Sequence, residues 1–186
     1  MKNVTIAAAI AASALASPVL AQETGDFSGV KGTAIAGYDN TDFGIDGAGS
    51  TDNADGFLYG ASLGYDIQSN NIVYGVEAEI TESTGELTGG GASVDASRDL
   101  YAGARLGFVV GDSALFYAKA GYTNARYTAS GGGFGGIAGN ADGVRVGAGI
   151  EYKLSDNAFV RGEYRYSNYE AGVSRNQVVG GVGFRF

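Results

Sequence analysis

The stretch Gly143–Tyr166, GVRVGAGIEYKLSDNAFVRGEYRY, decides the fold. Its first half alternates strictly, with Val144, Val146, Ala148, Ile150 and Tyr152 on one face and Arg145, Gly147, Gly149, Glu151 and Lys153 on the other. A repeat of two residues is the period of a β-strand. Ser155-Asp156-Asn157 then supplies turn-forming residues. Alternation resumes with Val160, Gly162, Tyr164 and Tyr166 opposed to Phe159, Arg161, Glu163 and Arg165. The segment reads as a β-hairpin with one apolar and one charged face.

Alternation by itself does not say which face meets water, so the rest of the chain has to. Downstream, Val178, Gly180, Val182, Phe184 and Phe186 alternate with Val179, Gly181, Gly183 and Arg185. Upstream, strands are predicted at Val30–Tyr38, Phe57–Gln68, Ile72–Thr81, Leu100–Val110 and Phe116–Thr123, each with an apolar face. Ile35 interrupts the pattern in the first of these. The connections alternate in length: 39–56, 82–96, 129–142 and 167–174 are long, whereas 68–71, 111–113 and 154–157 are short. Eight strands joined in this way predict an all-β, eight-stranded antiparallel up-and-down transmembrane β-barrel, apolar outside and polar inside, with its termini at the short-turn end. Outward aromatics fall in two groups. Tyr38, Phe57, Tyr59, Tyr122 and Tyr164 sit near the long loops; Tyr65, Tyr74, Phe108, Phe116, Tyr152 and Phe186 sit near the short turns. Two aromatic girdles about 25 Å apart are what a lipid-facing band requires.

Composition agrees. The 186 residues suit one domain, 45% are hydrophobic and 17% charged, and no apolar run is long enough for a spanning helix. The 33 glycines have no collagen period and suit strands crowded around a narrow lumen. With no cysteine there is no disulfide framework, and with no histidine the commonest general base and metal ligand is missing. Both absences weigh against an enzyme, and no cofactor or metal site is expected. An acidic pI of about 4.4 argues against nucleic-acid binding.

The N-terminus reads as a secretory signal, with a basic Met1-Lys2-Asn3, an apolar Val4–Leu15 and a small-residue site at Val19-Leu20-Ala21. Residues 1–21 are expected to be removed, leaving 22–186 as the barrel domain. Removal also takes away Pro18, the one proline, which leaves nothing to interrupt a hydrogen-bonded ladder.

Three segments carry a family resemblance: GIEYKLSDNAFVRGEYRY (Gly149–Tyr166), LFYAKAGY (Leu115–Tyr122) and the terminal VGFRF (Val182–Phe186). The chain resembles the small eight-stranded outer-membrane barrels of Gram-negative bacteria. That group includes the OmpA transmembrane domain and the Opa-like and "porin family" surface antigens. The resemblance implies an outer-membrane location, contact with outer-membrane lipid and lipopolysaccharide, and a structural or surface-interaction role of the adhesin or antigen kind. An extracellular ligand met by the long loops would belong to that role. It also implies that Phe184 and Phe186 form the C-terminal signal read by the barrel-assembly machinery. OmpA-type proteins continue into a peptidoglycan-binding domain; this chain stops with its eighth strand, so cell-wall anchoring is not carried over.

The inward charges are the constellation with chemistry in it. The registers turn Lys31 inward and predict an interior network of Asp66, Glu77, Glu79, Arg105, Lys119, Arg145, Glu151, Lys153, Arg161, Glu163, Arg165 and Arg185. An eight-stranded barrel is only wide enough for side chains to fill, and buried ions must be paired. A structural polar core is therefore favoured over the alternative, a narrow passive channel lined by Glu77, Arg105, Lys119 and Glu151. Asp39, Asp42, Asp46, Asp52 and Asp55 read as a solvated acidic loop, because the ligand order and closing Glu of a calcium loop are missing. Gly131, Gly133 and Gly136 match G-x-G-x-x-G, but no helix follows to hold a phosphate.

Overall fold

The computed structural model describes residues 27–42, 53–84, 86–89, 92–131 and 134–186. The expected signal segment, Asp46, Asp52 and Gly133 lie outside them. The strands are β1 (Gly29–Asp42), β2 (Asn53–Ser69), β3 (Ile72–Ser83), β4 (Glu86–Gly89), β5 (Ala92–Val110), β6 (Ala114–Gly131), β7 (Phe134–Lys153), β8 (Ala158–Tyr169) and β9 (Ser174–Arg185). Every neighbouring pair is antiparallel. β3 and β4 both pair with β5, so they are consecutive pieces of one stave. The β1–β9 and β3–β5 ladders close the sheet, giving eight staves in the order β1, β2, β3/β4, β5, β6, β7, β8, β9. Closure removes the free edges that lipid would leave unsatisfied.

The hairpin at Gly143–Tyr166 forms the β7–β8 ladder, from Gly143 opposite Tyr169 to Lys153 opposite Phe159. Its alternation is realised as read: Arg145, Glu151, Arg161, Glu163 and Arg165 are buried, while Val144, Ile150, Tyr152 and Tyr164 are exposed. Between the two aromatic girdles the outer wall is apolar in this way, with Val144 and Val182 each 61% exposed and Phe186 64%. Such a surface is compatible with lipid and not with water. Ile35, the interruption in the first strand, packs inside with Leu58 and Val179.

The short turns are tight, and Gly111 at φ +64° supplies the left-handed residue between β5 and β6. The expected long loops are corrected. β5 and β6 stay paired up to Ala92 opposite Gly131, and β6 and β7 up to Gly131 opposite Phe134. Most of 82–96 and 129–142 is therefore ladder. These segments are rich in Gly, Ala and Ser, so they lack the apolar alternation that marks a strand in lipid. Backbone hydrogen bonds hold the ladder there without it.

Interior glycines make room for large rings. A β-carbon on Gly103 would stand 2.1 Å from the Tyr101 hydroxyl and 2.4 Å from the Ala120 carbonyl, and one on Gly183 would strike the Phe159 ring at 2.4 Å.

Candidate functional site

The barrel interior is the candidate site, and it is built in tiers from the short-turn end upward. The floor is Phe27, which precedes β1 and is wholly buried with Val73, Val109 and Leu115. Its backbone N–H donates to Gln68 Oε1 at 2.9 Å, and the Lys153 and Arg185 cations lie over its ring at 5.6 and 5.3 Å. Lys153 is thus half-buried at the mouth, below the other interior charges. No alternation reaches Phe27, so sequence reading missed it.

Above the floor, Asp66 on β2, Arg105 on β5, Glu151 on β7 and Arg185 on β9 form a closed ring of alternating charge. Arg105 donates to Asp66 through Nε at 2.8 Å and to Glu151 through Nη1 at 3.1 Å. Arg185 Nη2 donates to Glu151 at 2.7 Å and to Asp66 at 3.0 Å. The four come from alternate staves, so the ring crosses the lumen in both directions. Lys31 links this tier to the next, 3.5 Å from Asp66 and 3.2 Å from Glu77.

The middle tier gathers Glu77, Glu79 and Glu163, whose oxygens lie within 4.8 Å of one another. Lys119 Nζ occupies the centre, 3.1 Å from Glu77, 2.5 Å from Glu79 and 2.8 Å from Glu163. An ammonium therefore stands where three carboxylates would otherwise need a metal ion. Arg161 reaches Glu77 at 2.6 Å and Glu79 at 3.3 Å; Arg165 reaches Glu79 at 3.0 Å and Glu163 at 2.5 Å. Tyr117 donates its hydroxyl to Glu163 at 2.7 Å. Lys119 and Arg145 both lie over the Tyr101 ring, at 4.7 and 5.4 Å.

The top tier was largely missed. Asp99 accepts from Arg145 Nη2, from Thr123 Oγ1 at 2.6 Å and from Tyr169 Oη at 2.7 Å. Arg175 is 3.3 Å from Asp99 and also pairs with Asp39. Asp39 is therefore corrected: it is a buried carboxylate, 2% exposed, and not part of a solvated loop. Asp55 alone of that acidic set is described as exposed. Asp39, Asp99 and Arg175 sit just beyond the strand ends expected from apolar alternation. Carrying the two-residue period one to three residues further would have turned all three inward.

At the upper rim the outward tyrosines are anchored. Tyr59 donates to Glu82 at 3.0 Å and Tyr164 to Asn176 at 2.7 Å, while Tyr122 and Asn124 both donate to Asp142. Those two bonds hold the Asp142 carboxyl below the usual carboxylate range. Phe184 and Phe186 sit on the outer wall at the lower end, and the Phe186 N–H donates to the Val30 carbonyl at 2.8 Å.

The family described as outer membrane protein beta-barrel domain matches residues 7–186. The 25 kDa outer-membrane immunogenic protein of Brucella ovis is 30% identical over 132 residues, covering 71% of this chain and 65% of that protein. The protein of the same name from Brucella canis is 32% identical over 115 residues, covering 62% and 53%. The matched stretch thus spans less than two thirds of these relatives' own length. Among solved structures, Neisserial surface protein A superposes with a TM-score of 0.63 at 19% identity, covering 86% of this chain and 98% of that one. Ail, the attachment invasion locus protein of Yersinia pestis, gives 0.58 at 18% identity, covering 86% and 100%.

Proposed function

The chain belongs to the outer membrane protein beta-barrel domain family, and from that membership we propose that it is a closed outer-membrane barrel that works through its surface and not through its lumen. The observation that carries this is the ring of Asp66, Arg105, Glu151 and Arg185, which spans the bore with paired charges. Ions paired across the bore in this way support a plugged lumen, because separating them would strand buried charge. The loops and the raised β5–β6–β7 ladder are then the parts that act, outside the cell, as an adhesin- or antigen-like surface. The immunogenic names of the Brucella relatives fit that reading. Under it the termini are periplasmic, the segment 1–21 is a removed signal, and the barrel carries no catalysis.

Planar-bilayer recordings on the purified protein test it. No steady ionic current is expected, and Glu151→Ala is expected to weaken the barrel. Reproducible conductance whose ion selectivity changes with Glu151→Ala, at unchanged stability, would replace the reading with a narrow passive channel.

A further inference from the structure

The eight staves do not end at one height. β7 pairs with β6 up to Gly131 opposite Phe134, whereas its ladder with β8 stops at Gly143 opposite Tyr169. Beyond Tyr169 the chain makes a single 3-10 turn at Glu170–Gly172 and starts down β9 at Ser174. Among the described residues, 134–142 of β7 are therefore paired on one side only. They bound a notch directly above β8, roughly 30 Å long at the rise of a strand.

Which backbone groups face the notch follows from the other end of the same strand. The Lys153 N–H donates to Ser113 on the β6 side, and the Leu154 N–H donates to Ala158 on the β8 side. Odd residues of β7 thus bond towards β6 and even ones towards β8. The register with β6 runs unbroken from Ala114 opposite Tyr152 to Ala129 opposite Ile137, so Ala138, Asn140 and Asp142 direct their N–H and C=O groups into the notch. Asn140 and Asp142 are exposed, and a β-carbon on Gly139 would meet nothing within 4 Å. The sequence of 134–142, FGGIAGNAD, carries no Pro or Lys of the kind that blunts a sheet edge.

Main-chain groups spaced along an open ladder are matched by an extended backbone. A second copy in the same membrane is not placed to supply it. Copies in one membrane share its normal, and a two-fold along that axis leaves both β7 strands descending together, crossed at about twice the strand tilt, roughly 70–90°. The foot of the notch is acidic: Asp142 and Glu170 are both exposed, and both bear on the Tyr122 hydroxyl. Arg126, opposite Asn140, stands on β6 and so on the far side of β7 from the notch.

We propose that the β7 edge docks an extended peptide by strand addition, antiparallel to β7, with a Lys or Arg near the peptide's N-terminus set against Asp142 and Glu170. The peptide continues the line of β8 and runs away from the membrane. The inference rests on the surface role proposed above and names the class of partner that such a surface takes.

The full chain in phosphatidylcholine nanodiscs is titrated with the fluorescent octapeptide Lys-Thr-Val-Thr-Val-Thr-Val-Thr, with a form carrying Glu for Lys, and with a form N-methylated at every amide. The first is expected to bind, the Glu form about tenfold more weakly, and the N-methylated form not at all, because it has no N–H for the ladder. Asn140→Pro removes an N–H that faces the notch and no bond to β6, so the barrel should fold and peptide affinity should fall about tenfold. Asn140→Ala keeps the N–H and should bind as wild type. If Asn140→Pro does not refold, the N-methylated peptide decides. Equal binding of the methylated and unmethylated peptides overturns the proposal, as does equal affinity of wild type and Asn140→Pro, or of the Lys and Glu forms. Absence of binding in nanodiscs overturns it at the edge itself. Binding in nanodiscs that is missing from intact cells overturns it through its premise, the outward-facing surface, and so tells the two failures apart.

Discussion

Asp66 on β2 and Glu151 on β7 face each other from opposite staves of the barrel and are joined through the same two arginines, Arg105 and Arg185. Neither carboxylate has to cross the bore, because each guanidinium reaches both. The arrangement resembles four posts tied at one height, and it makes the lower lumen a cross-brace for the sheet. Arg161 does the same directly one tier up, running from β8 to Glu77 on the opposite stave β3 at 2.6 Å.

Removing one post should expose the brace. Asp66→Ala leaves Lys31, Arg105 and Arg185 short of an acidic partner inside the barrel and is expected to cost about 3–5 kcal/mol. The double change with Arg105→Ala should cost less than the sum of the singles, because each single strands a charge that the double does not. Denaturant unfolding in bilayers measures all three, and strict additivity would show that the pair is not coupled.

The outer wall makes a different demand. Ala104, opposite Val76 and Ala120, lies on the lipid face near the middle of the barrel. Ala104→Arg is expected to cost about 2–4 kcal/mol in a bilayer, with Ala104→Leu tolerated. Its inward neighbour fails for another reason: in Gly103→Ala the added carbon meets the Tyr101 hydroxyl and the Ala120 carbonyl, costing about 1–3 kcal/mol. Refolding yields that treat Arg and Leu alike at position 104 would mean that lipid does not meet this wall.

Orientation has its own test. Protease added to intact cells is expected to cut, where it cuts, between β1 and β2, β3 and β5, β6 and β7, or β8 and β9. The tight turns at Ser69–Ile72, Gly111–Ser113 and Leu154–Asn157 should stay protected until the outer membrane is opened. Cleavage beside Asp156 in intact cells would invert the topology.

Phe186 separates assembly from stability. Its ring is 64% exposed on the outer wall, so the interior gains nothing from it. Deleting it is expected to lower the amount of folded protein in the membrane far more than it lowers the unfolding free energy of protein refolded in vitro. Normal membrane yield from the truncated chain would rule out a C-terminal assembly signal.

The sequence by itself determined the staves and their faces. A two-residue period is a local property, so Val144 to Lys153 declare their inward and outward sets without reference to any other strand, and turn residues such as Ser155-Asp156-Asn157 declare the hairpin. Interior charge was legible for the same reason. Its pairing was not, because which charges meet depends on how the strands stagger when the sheet closes. Glu77 and Arg161 are 84 residues apart and touch only because β3 and β8 become opposite staves. Closure also decided that Asp39 is a buried partner of Arg175 and not a loop acid. It folded Phe27 under the lumen beneath Arg185, while the β5–β6–β7 ladder runs beyond the apolar alternation on backbone hydrogen bonds alone. The two-residue period carried past Tyr38 turns Asp39 inward, but its partner, the floor under the lumen and the reach of the ladder leave no periodic mark, since each is decided by pairing between strands and not by the local alternation of one.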